Sequence, residues 1–497
     1  MTRSPRPLLT CLAFAALFTI LFHGTGIGLN LLLFELAVFG FLLALRRVPN
    51  TRAVIITLGG TLLTAVLVVL YGSTLAIVMN AVSMLLTVGV LLAPELNALH
   101  QSAALALSHL VAAPRALWRS LPLPSSAAPV LGITPRGAVS GALVPLIVLL
   151  FATLYSASNP YFGELVADFY TWLGDLDASL PVVFALGLVV SCFLLLLTRN
   201  ERLMRWATSK LDGLIPSAMD DARTRVMRTE VRTGILLLGT LNALLLLLNV
   251  LDIHHVWFNF MFTGQYLKQF VHQGTWLLIV SIVLGALIVL YYFRGDLNFR
   301  ARNRVIKALS YAWLAQNAVL AISVAVRNYW YIHHYALAYK RIGVAFFLLA
   351  TVIGLGIILL KVRHRRSQHF LARWNMLSLY LVALAMSVFD WDPLIARYNM
   401  AHREQAFVEL DFLATLDDKA LPYLLRSPLE LVNLDDYNAR LIGAERHWRA
   451  RYMDPKRYGT LMNQRVRTFV EEYPERSWRE WNLADARAHA ALLAWSE

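Results

Sequence analysis

Charged and histidine side chains gather in three short stretches in the second half of the chain, each beside an apolar segment. Histidine binds metals and titrates near neutral pH, while arginine and lysine bind anionic groups such as lipid phosphates. If the apolar segments cross a membrane, the three stretches lie on one side of it. The candidate ligand-binding residues are Asp252, His254, His255, His272, Arg327, His333, His334, Lys340, Arg341, Asp390, Asp392 and Arg397.

Two interpretations of these residues stay open. They form a site for an anionic lipid head group, a sugar phosphate, a metal or a titrating proton, or else Asp252 or Asp390 pairs with Arg327 or Arg397 and fastens the loops. The histidines at 254–255 and 333–334 are adjacent, which places two rings on different sides of a helix or strand and suits a shared metal poorly. We therefore predict no metal and no cofactor, and we favour fastening over ligand binding.

Composition indicates a membrane protein. Hydrophobic residues make up 58% of the 497 residues and charged residues 15%, against about 25% charged residues in an average globular protein. The two cysteines, Cys11 and Cys192, lie in apolar runs and give neither a disulfide framework nor a zinc spacing. The sequence contains no GxxxxGK[ST], HExxH or GxSxG motif, so we predict no catalytic residues and lean against an enzyme.

Eleven segments are apolar and long enough, or nearly so, to cross a bilayer, which requires about 20 residues. The predicted fold is all-α, a polytopic transmembrane bundle of about eleven spans with a small soluble helical C-terminal domain. The segments are Leu8–Phe22, Ile27–Leu45, Ala53–Leu70, Leu75–Ala93, Gly141–Ala157, Pro181–Leu197, Gly234–Leu251, Thr275–Phe293, Ile306–Val326, Ile342–Leu360 and Trp374–Phe389.

The basic residues orient this map. With a cytoplasmic N-terminus and every segment crossing, the cytoplasmic pieces hold 26 Lys and Arg residues and the outer loops four, which agrees with the positive-inside rule. The formal charge of +14 is then a topology signal, and a nucleic-acid partner is excluded. The bilayer itself is the predicted partner, with an anionic lipid head group or an envelope protein as a further one.

The map divides the chain into three predicted regions. Residues 1–140 contain N-terminal transmembrane helices and a cytoplasmic amphipathic segment, residues 141–389 a transmembrane core, and residues 390–497 a soluble helical extracytoplasmic tail. In the tail, the spacing of apolar residues predicts helices at Ala406–Leu416 and Ala484–Leu493.

Polar side chains also occur within the predicted spans: Glu35, Asn242, Asn249, Gln316 and Asn317. Asn and Gln in a span usually hydrogen-bond to a neighbouring helix. Glu35 is the acid that lies well inside a span, and such a residue suggests a proton-carrying group or the partner of a buried base.

Several strings from the seventh segment onward resemble a known family. They include Gln269-Phe270-Val271-His272-Gln273-Gly274-Thr275, Tyr292-Phe293-Arg294-Gly295-Asp296-Leu297-Asn298 and Ala338-Tyr339-Lys340-Arg341-Ile342-Gly343. Together they are similar to a bacterial family of multi-pass membrane proteins classed as a domain of unknown function, of the 4153 and 4173 types. The resemblance covers roughly residues 225–400 and implies a location in the bacterial cytoplasmic (inner) membrane, but no activity.

Three functions compete on this basis. The first is a sensor, scaffold or accessory subunit of the bacterial envelope, whose outer polar face and tail engage a partner. The second is a secondary transporter, which requires a polar path from Glu35 to the outer residues. The third is a lipid-linked envelope transferase, which requires a lipid-facing groove that reaches Asp390 and Asp392.

Overall fold

A computed structural model describes most of the chain. The described residues are 6–45, 47–120, 179–209, 212–214, 221–258, 264–294, 303–442 and 453–496, with residues 148, 155, 161–166 and 168 between them. Within them the chain is helical, and the β-pairing is one isolated antiparallel bridge between Gly213 and Arg366. The chain divides into an N-terminal unit, Met1–Ser209 with Glu475–Ala484, and a C-terminal unit, Lys210–Pro474 with Asp485–Glu497.

Six helices among the described residues are long and apolar enough to cross a membrane, and four shorter helices are also apolar. These ten helices coincide with ten of the eleven predicted segments. The remaining segment, Gly141–Ala157, is the fifth along the chain and lies almost entirely outside the described residues. The count of eleven spans therefore stays a prediction. By length and composition, these apolar helices indicate a membrane protein.

The described part of the N-terminal unit is built mainly from α-helices. They are α1 (Arg6–Phe22), α2 (Leu29–Ala44), α3 (Arg52–Tyr71), α4 (Thr74–Leu92), α5 (Leu99–Ser120), α6 (Ser179–Leu195) and α7 (Glu201–Thr208). The side chains of Thr51 and Ser73 accept hydrogen bonds from backbone N–H groups at the starts of α3 and α4, which satisfies donors that a helix leaves unpaired. Gly72 ends α3 in the left-handed conformation, which glycine adopts without strain.

Contacts at two opposite ends define how the N-terminal unit is assembled. At one end, His23 after α1 meets Ser179 at the start of α6, with 3.1 Å between Nε2 and Oγ. At the other end, Glu95 after α4 pairs with Arg199 after α6 at 3.7 Å. The thiols of Cys11 and Cys192 also hydrogen-bond to each other, so α1 and α6 run antiparallel.

The segment 475–484 belongs to the end at which α1 finishes. The Glu480 carboxylate accepts a hydrogen bond from the Gly26 N–H at 2.6 Å, and the Leu29 N–H donates to the carbonyl of Trp481 at 3.1 Å. Arg479 donates to the carbonyl of Ile20 at 2.5 Å. A polar stretch near the C-terminus is thus hydrogen-bonded to the turn between α1 and α2.

The apolar helices of the C-terminal unit are long. They are α8 (Asp221–Asp252), continued by a π-helical turn (Ile253–Phe258), α9 (Gly264–Tyr292), α10 (Arg304–Tyr335), α11 (Tyr339–Arg363) and α12 (Gln368–Ser387). Their core contains fully buried residues such as Leu238, Ile282 and Leu320. α10 has 32 residues, more than the roughly 20 that span a bilayer, so its aromatic- and histidine-rich end extends past the predicted segment.

The rest of the C-terminal unit is a compact set of shorter helices. They are α13 (Trp391–Ala401), α14 (Leu410–Leu413), α15 (Leu421–Leu424), α16 (Pro428–Ile442), α17 (Pro455–Glu472) and α18 (Leu483–Ser496), with 3-10 turns at Asp418–Ala420 and Tyr473–Glu475. Their apolar core includes Leu413, Leu421 and Phe469, together with Ala336 and Ile342 at the junction of α10 and α11. A further 3-10 turn, Trp478–Glu480, lies in the segment 475–484 that belongs to the N-terminal unit.

The predicted helix Ala406–Leu416 is wrong in extent. It is a single turn, α14, preceded by extended chain at residues 407–409. The buried amide of Asn438 accepts a hydrogen bond from the Val408 N–H at 3.1 Å and donates to its carbonyl at 2.9 Å. These tertiary hydrogen bonds replace the bonds that a helix would make. The prediction at the C-terminus agrees well with α18, whose first turn contains Asp485.

Candidate functional site

Asp252, the last residue of α8, and Arg327, about two turns before the end of α10, form a buried ion pair. The Arg327 guanidinium donates to Oδ1 of Asp252, and Ser323 donates to Oδ2 at 2.8 Å. The exposed fractions of the two charged side chains are 6% and 7%. The indole N–H of Trp257 donates to Ser323 at 3.0 Å, so the pair is part of a hydrogen-bonded cluster.

The histidine pairs do not form a shared site in the described residues. His254 and His255 lie exposed in the π-helical turn, with ring centroids 4.6 Å apart and nearly perpendicular. His333 and His334 are 4.9 Å apart, and both contact Trp330. His272 lies in α9, but its side chain is outside the described residues. No group of three or more His, Cys, Asp or Glu residues with metal-binding geometry exists among those described.

Arg341 secures the turn between α10 and α11. Its guanidinium donates to the carbonyls of Tyr335, at 2.5 Å, and Ala336, and it lies over the ring of Tyr331 with 4.2 Å to the centroid. Ala336 has a positive φ of 62°, a strained conformation for a residue with a Cβ. The guanidinium therefore compensates for carbonyls that the turn leaves without helical partners. Lys340 beside it is exposed.

Asp390 and Asp392 surround a buried lysine. The ammonium group of Lys419 lies 3.0 Å from Oδ1 of Asp390 and 3.5 Å from Oδ2 of Asp392, and the exposed fraction of its side chain is 1%. Asp392 also accepts a hydrogen bond from the hydroxyl of Tyr339 and, at 3.2 Å, from the backbone N–H of Asp417. This cluster joins the start of α11, the start of α13 and the turn before α15.

The electrostatics of this cluster follow from its burial. Desolvation raises the pKa of Asp390 to about 6, although Lys419 opposes the shift. Burial disfavours the charged form of Lys419, but the carboxylates of Asp390 and Asp392 more than offset it and raise the pKa of the lysine. The ammonium group is therefore charged at neutral pH and acts as the internal counter-ion of the carboxylates.

The remaining predicted residues also serve packing. Asn242 and Gln316 join α8 to α10 through a side-chain hydrogen bond of 2.8 Å, and Asn249 donates to the carbonyl of Gln316 at 3.1 Å. Asn317 donates within its own helix. Arg397 is exposed and lies 5.5 Å from the ring centroid of Tyr423.

Glu35 belongs to the N-terminal unit and faces its interior. Its exposed fraction is 1%, and neither carboxyl oxygen has a hydrogen-bond partner among the described residues. The amide of Asn80 on α4 lies beside it. This sealed packing argues against a transport path that starts at Glu35.

An open cleft lies in the C-terminal unit between the starts of α16 and α17. Its volume is about 310 Å³ and it is lined by Leu424, Leu425, Arg426, Pro428, Leu431, Val432, Pro455, Lys456, Tyr458, Gly459, Thr460, Met462 and Asn463. The walls are mainly apolar, and Arg426 and Lys456 are its basic residues. Leu429 beside it is 70% exposed. Ligand-binding clefts typically have volumes of about 300–1,000 Å³.

Sequence reasoning missed Lys419 and this cleft. The pattern Asp417-Asp418-Lys419 is a common surface sequence, and nothing in it reveals that the lysine is buried against residues 25 or more positions away. The cleft is formed by two helices of ordinary amphipathic pattern. Asp390 and Asp392 were detectable because they follow the last apolar segment directly.

Comparison with known proteins gave one result. A family model described as "Domain of unknown function (DUF4153)" matches residues 58–427. The match is wider than the predicted region 225–400, since it begins within α3 and continues past α15. Neither the curated proteins nor the solved structures contain a match.

Proposed function

The chain belongs to the DUF4153 family, and we propose that it is a membrane-anchored scaffold whose extracytoplasmic tail binds an envelope protein. A sensor or an accessory subunit would use the same surface. The observation that carries this proposal is the engagement of the outer charged residues with one another. Asp252 binds Arg327, and Asp390 and Asp392 bind Lys419. These contacts favour fastening over catalysis.

The orientation in this proposal has N-terminal residues in the cytoplasm and the tail outside. Their placement on opposite sides is supported by the N-terminal unit, in which Arg6 begins α1 at one end and residues 475–484 bind at the other, and the positive-inside rule assigns Arg6 to the cytoplasm. This arrangement requires an odd number of membrane crossings between Arg6 and residues 475–484. The Glu95–Arg199 pair and the antiparallel α1 and α6 likewise favour an odd number of crossings between α4 and α6.

The proposed binding surface is the cleft between α16 and α17. Its apolar walls continue onto Leu429 and Val432, which are 70% and 49% exposed. Soluble surfaces rarely keep large contiguous apolar patches without a binding role. Because Arg426 and Lys456 line the cleft, the expected partner is a protein segment with apolar side chains next to an acidic residue.

Site-specific photo-crosslinking in native membranes tests this function. A photoreactive amino acid replaces Val432 in the cleft or, as the matched control, the exposed Glu471 near the other end of α17. We expect one discrete protein adduct from position 432 that disappears with Lys456→Glu, and none from position 471. Adducts with lipid alone, or the same adducts from both positions, would contradict a protein-binding scaffold.

The transferase alternative lacks such support. Asp390 and Asp392 are engaged with Lys419 and Tyr339, and the cleft is lined by other residues. An Asp392→Asn variant that loses a lipid-linked transfer activity while it keeps its thermal stability would restore that alternative.

A further inference from the structure

Glu35 has no role in the scaffold function, yet its surroundings are unusual. α3 and α4 of the N-terminal unit carry a row of fully buried polar side chains, and one of them, Asn80, lies beside Glu35. The members of this row are Thr57, Thr61, Thr64, Asn80, Ser83 and Thr87, and none is more than 2% exposed. In a segment that spans a membrane, such residues are hydrogen-bonded to one another or to the backbone, or they mark a binding site.

The donors of this row are already used. The two N–H groups of Asn80 point to the carbonyl of Thr61, at 3.1 Å, and to the hydroxyl of Thr64, at 3.3 Å. Thr61 and Thr64 donate to backbone carbonyls one turn earlier. Asn80 lies close enough to Glu35 to be its nearest donor, but its amide is shared with Thr61 and Thr64. The row therefore offers the Glu35 carboxyl few donors that would stabilise an anion.

Cations do not compensate for the carboxyl either. Neither carboxyl oxygen has a hydrogen-bond or ion-pair partner by distance among the described residues, and α4 contains no titratable residue. The titratable residues of the other elements packed on α2 provide no such partner. They are Arg6 and Cys11 on α1, Arg52 and Tyr71 on α3, Cys192 on α6, and Arg479 and Glu480 in the turn at 478–480.

A buried carboxylate with no cation beside it, and with a single neutral amide as its nearest donor, is strongly disfavoured relative to the neutral acid. We propose that Glu35 is a proton-binding site among the membrane helices of the N-terminal unit, held as the neutral acid and deprotonated only when these helices separate. The ligand is a proton, and the site goes beyond the scaffold function. It makes the packing of α2 against α3, and the approach of Asn80 to Glu35, dependent on protonation.

Labelling with a lipid-soluble carbodiimide tests the proposal on the full chain in lipid vesicles. Such a reagent takes the proton from a carboxylic acid onto its nitrogen while the carboxyl oxygen bonds to its central carbon, so ionised carboxylates react poorly. We expect mass spectrometry to find the adduct on residue 35 at neutral pH, with a rate that falls as pH rises. Glu95→Gln is the matched control, because Glu95 is half exposed and paired with Arg199, and this variant should label as the wild type does.

Infrared spectroscopy decides the matter if the reagent cannot reach the site. The wild type should show a carboxylic-acid C=O band that is lost in Glu35→Gln, and this variant should retain the wild-type melting temperature, since its side chain resembles the neutral acid. A carboxylate band at residue 35 at neutral pH would overturn the proposal. So would protection from labelling by sodium at constant ionic strength, which would indicate a cation site.

Discussion

Asp252 and Arg327 show how much a single pair of residues contributes in this fold. Both are buried, so removing one partner leaves an uncompensated charge, which costs about 3–5 kcal/mol. We expect Asp252→Asn or Arg327→Met to lower the melting temperature in detergent by several degrees. The double variant Asp252→Leu/Arg327→Met should recover much of the loss, because no unpaired charge then remains.

An exposed pair supplies the control for this prediction. Arg294 and Glu230 lie 2.9 Å apart, but their side chains are 46% and 32% exposed, and such pairs contribute at most about 1 kcal/mol. Arg294→Gln should therefore change the melting temperature little. If Arg294→Gln and Arg327→Met lowered the melting temperature equally, the buried pair would contribute no more to stability than the exposed pair.

The raised pKa of Asp390 predicts that the stability of the fold depends on pH. Its pKa is about 6 in the fold, against an ordinary value of 3.8. Between these pH values the folded chain holds a proton that the unfolded chain has released, so the stability contribution of Asp390 falls as pH rises from about 4 to about 6. The loss is on the order of 2 kcal/mol. Thermal unfolding of Asp390→Asn across this window should have a flatter pH profile than the wild type, and parallel profiles would refute the assignment.

The limits of sequence reasoning at this scale have a physical origin. The charged residues at helix ends were detectable because lipid excludes them from the spans between. Which carboxylate meets which cation depends on how the helices pack, as Lys419 shows. The cation–π contact of Arg341 and the carbonyls that it caps are equally invisible in a charge pattern.

At the scale of elements, the segment 475–484 and the turn between α1 and α2 make a contact that leaves no room for added atoms. A Cβ on Gly28 would lie 2.2 Å from the carbonyl oxygen of Glu480. Its φ of −163° is extended, so any penalty for Gly28→Ala comes from this approach and not from backbone strain. We expect the variant to expose residues 475–484 to protease and to lower the melting temperature.

Gly40→Ala is the matched control within α2, the helix that Gly28 precedes. A Cβ at Gly40 meets nothing within 4 Å, and alanine favours a helix interior over glycine by about 1 kcal/mol. This variant should leave protease resistance unchanged or improve it. Equal cleavage near Trp478 in the wild type and in Gly28→Ala would show that the contact does not hold the segment.

Helix existence and helix extent were predictable to different degrees. Length and hydropathy predicted the apolar helices, because lipid requires about 20 apolar residues in each. They did not predict the final turns of α10, which are rich in aromatic residues and histidine, or the replacement of the helix at 406–409 by hydrogen bonds to Asn438. Tertiary contacts decide both.

For the whole molecule, the return of residues 475–484 to the N-terminal unit is the feature that hydropathy could not predict. The hydropathy of a short polar segment does not indicate which part of the chain it binds. Its binding beside the end of α1 gives the topology a test that is independent of the positive-inside rule. By that rule, Trp478 lies outside the cell membrane and Arg199 lies in the cytoplasm.

Cysteine accessibility can measure this topology directly. The two native thiols are buried, and replacing both with alanine gives a background for single cysteines at Trp478, which is 63% exposed, and at Arg199, whose side chain is 50% exposed. In whole cells with a permeable outer layer, a membrane-impermeant maleimide should label Trp478→Cys. It should label Arg199→Cys only after the cytoplasmic membrane is opened. The reverse pattern would invert the orientation, and labelling of both positions in intact cells would exclude an odd number of crossings between Arg199 and Trp478.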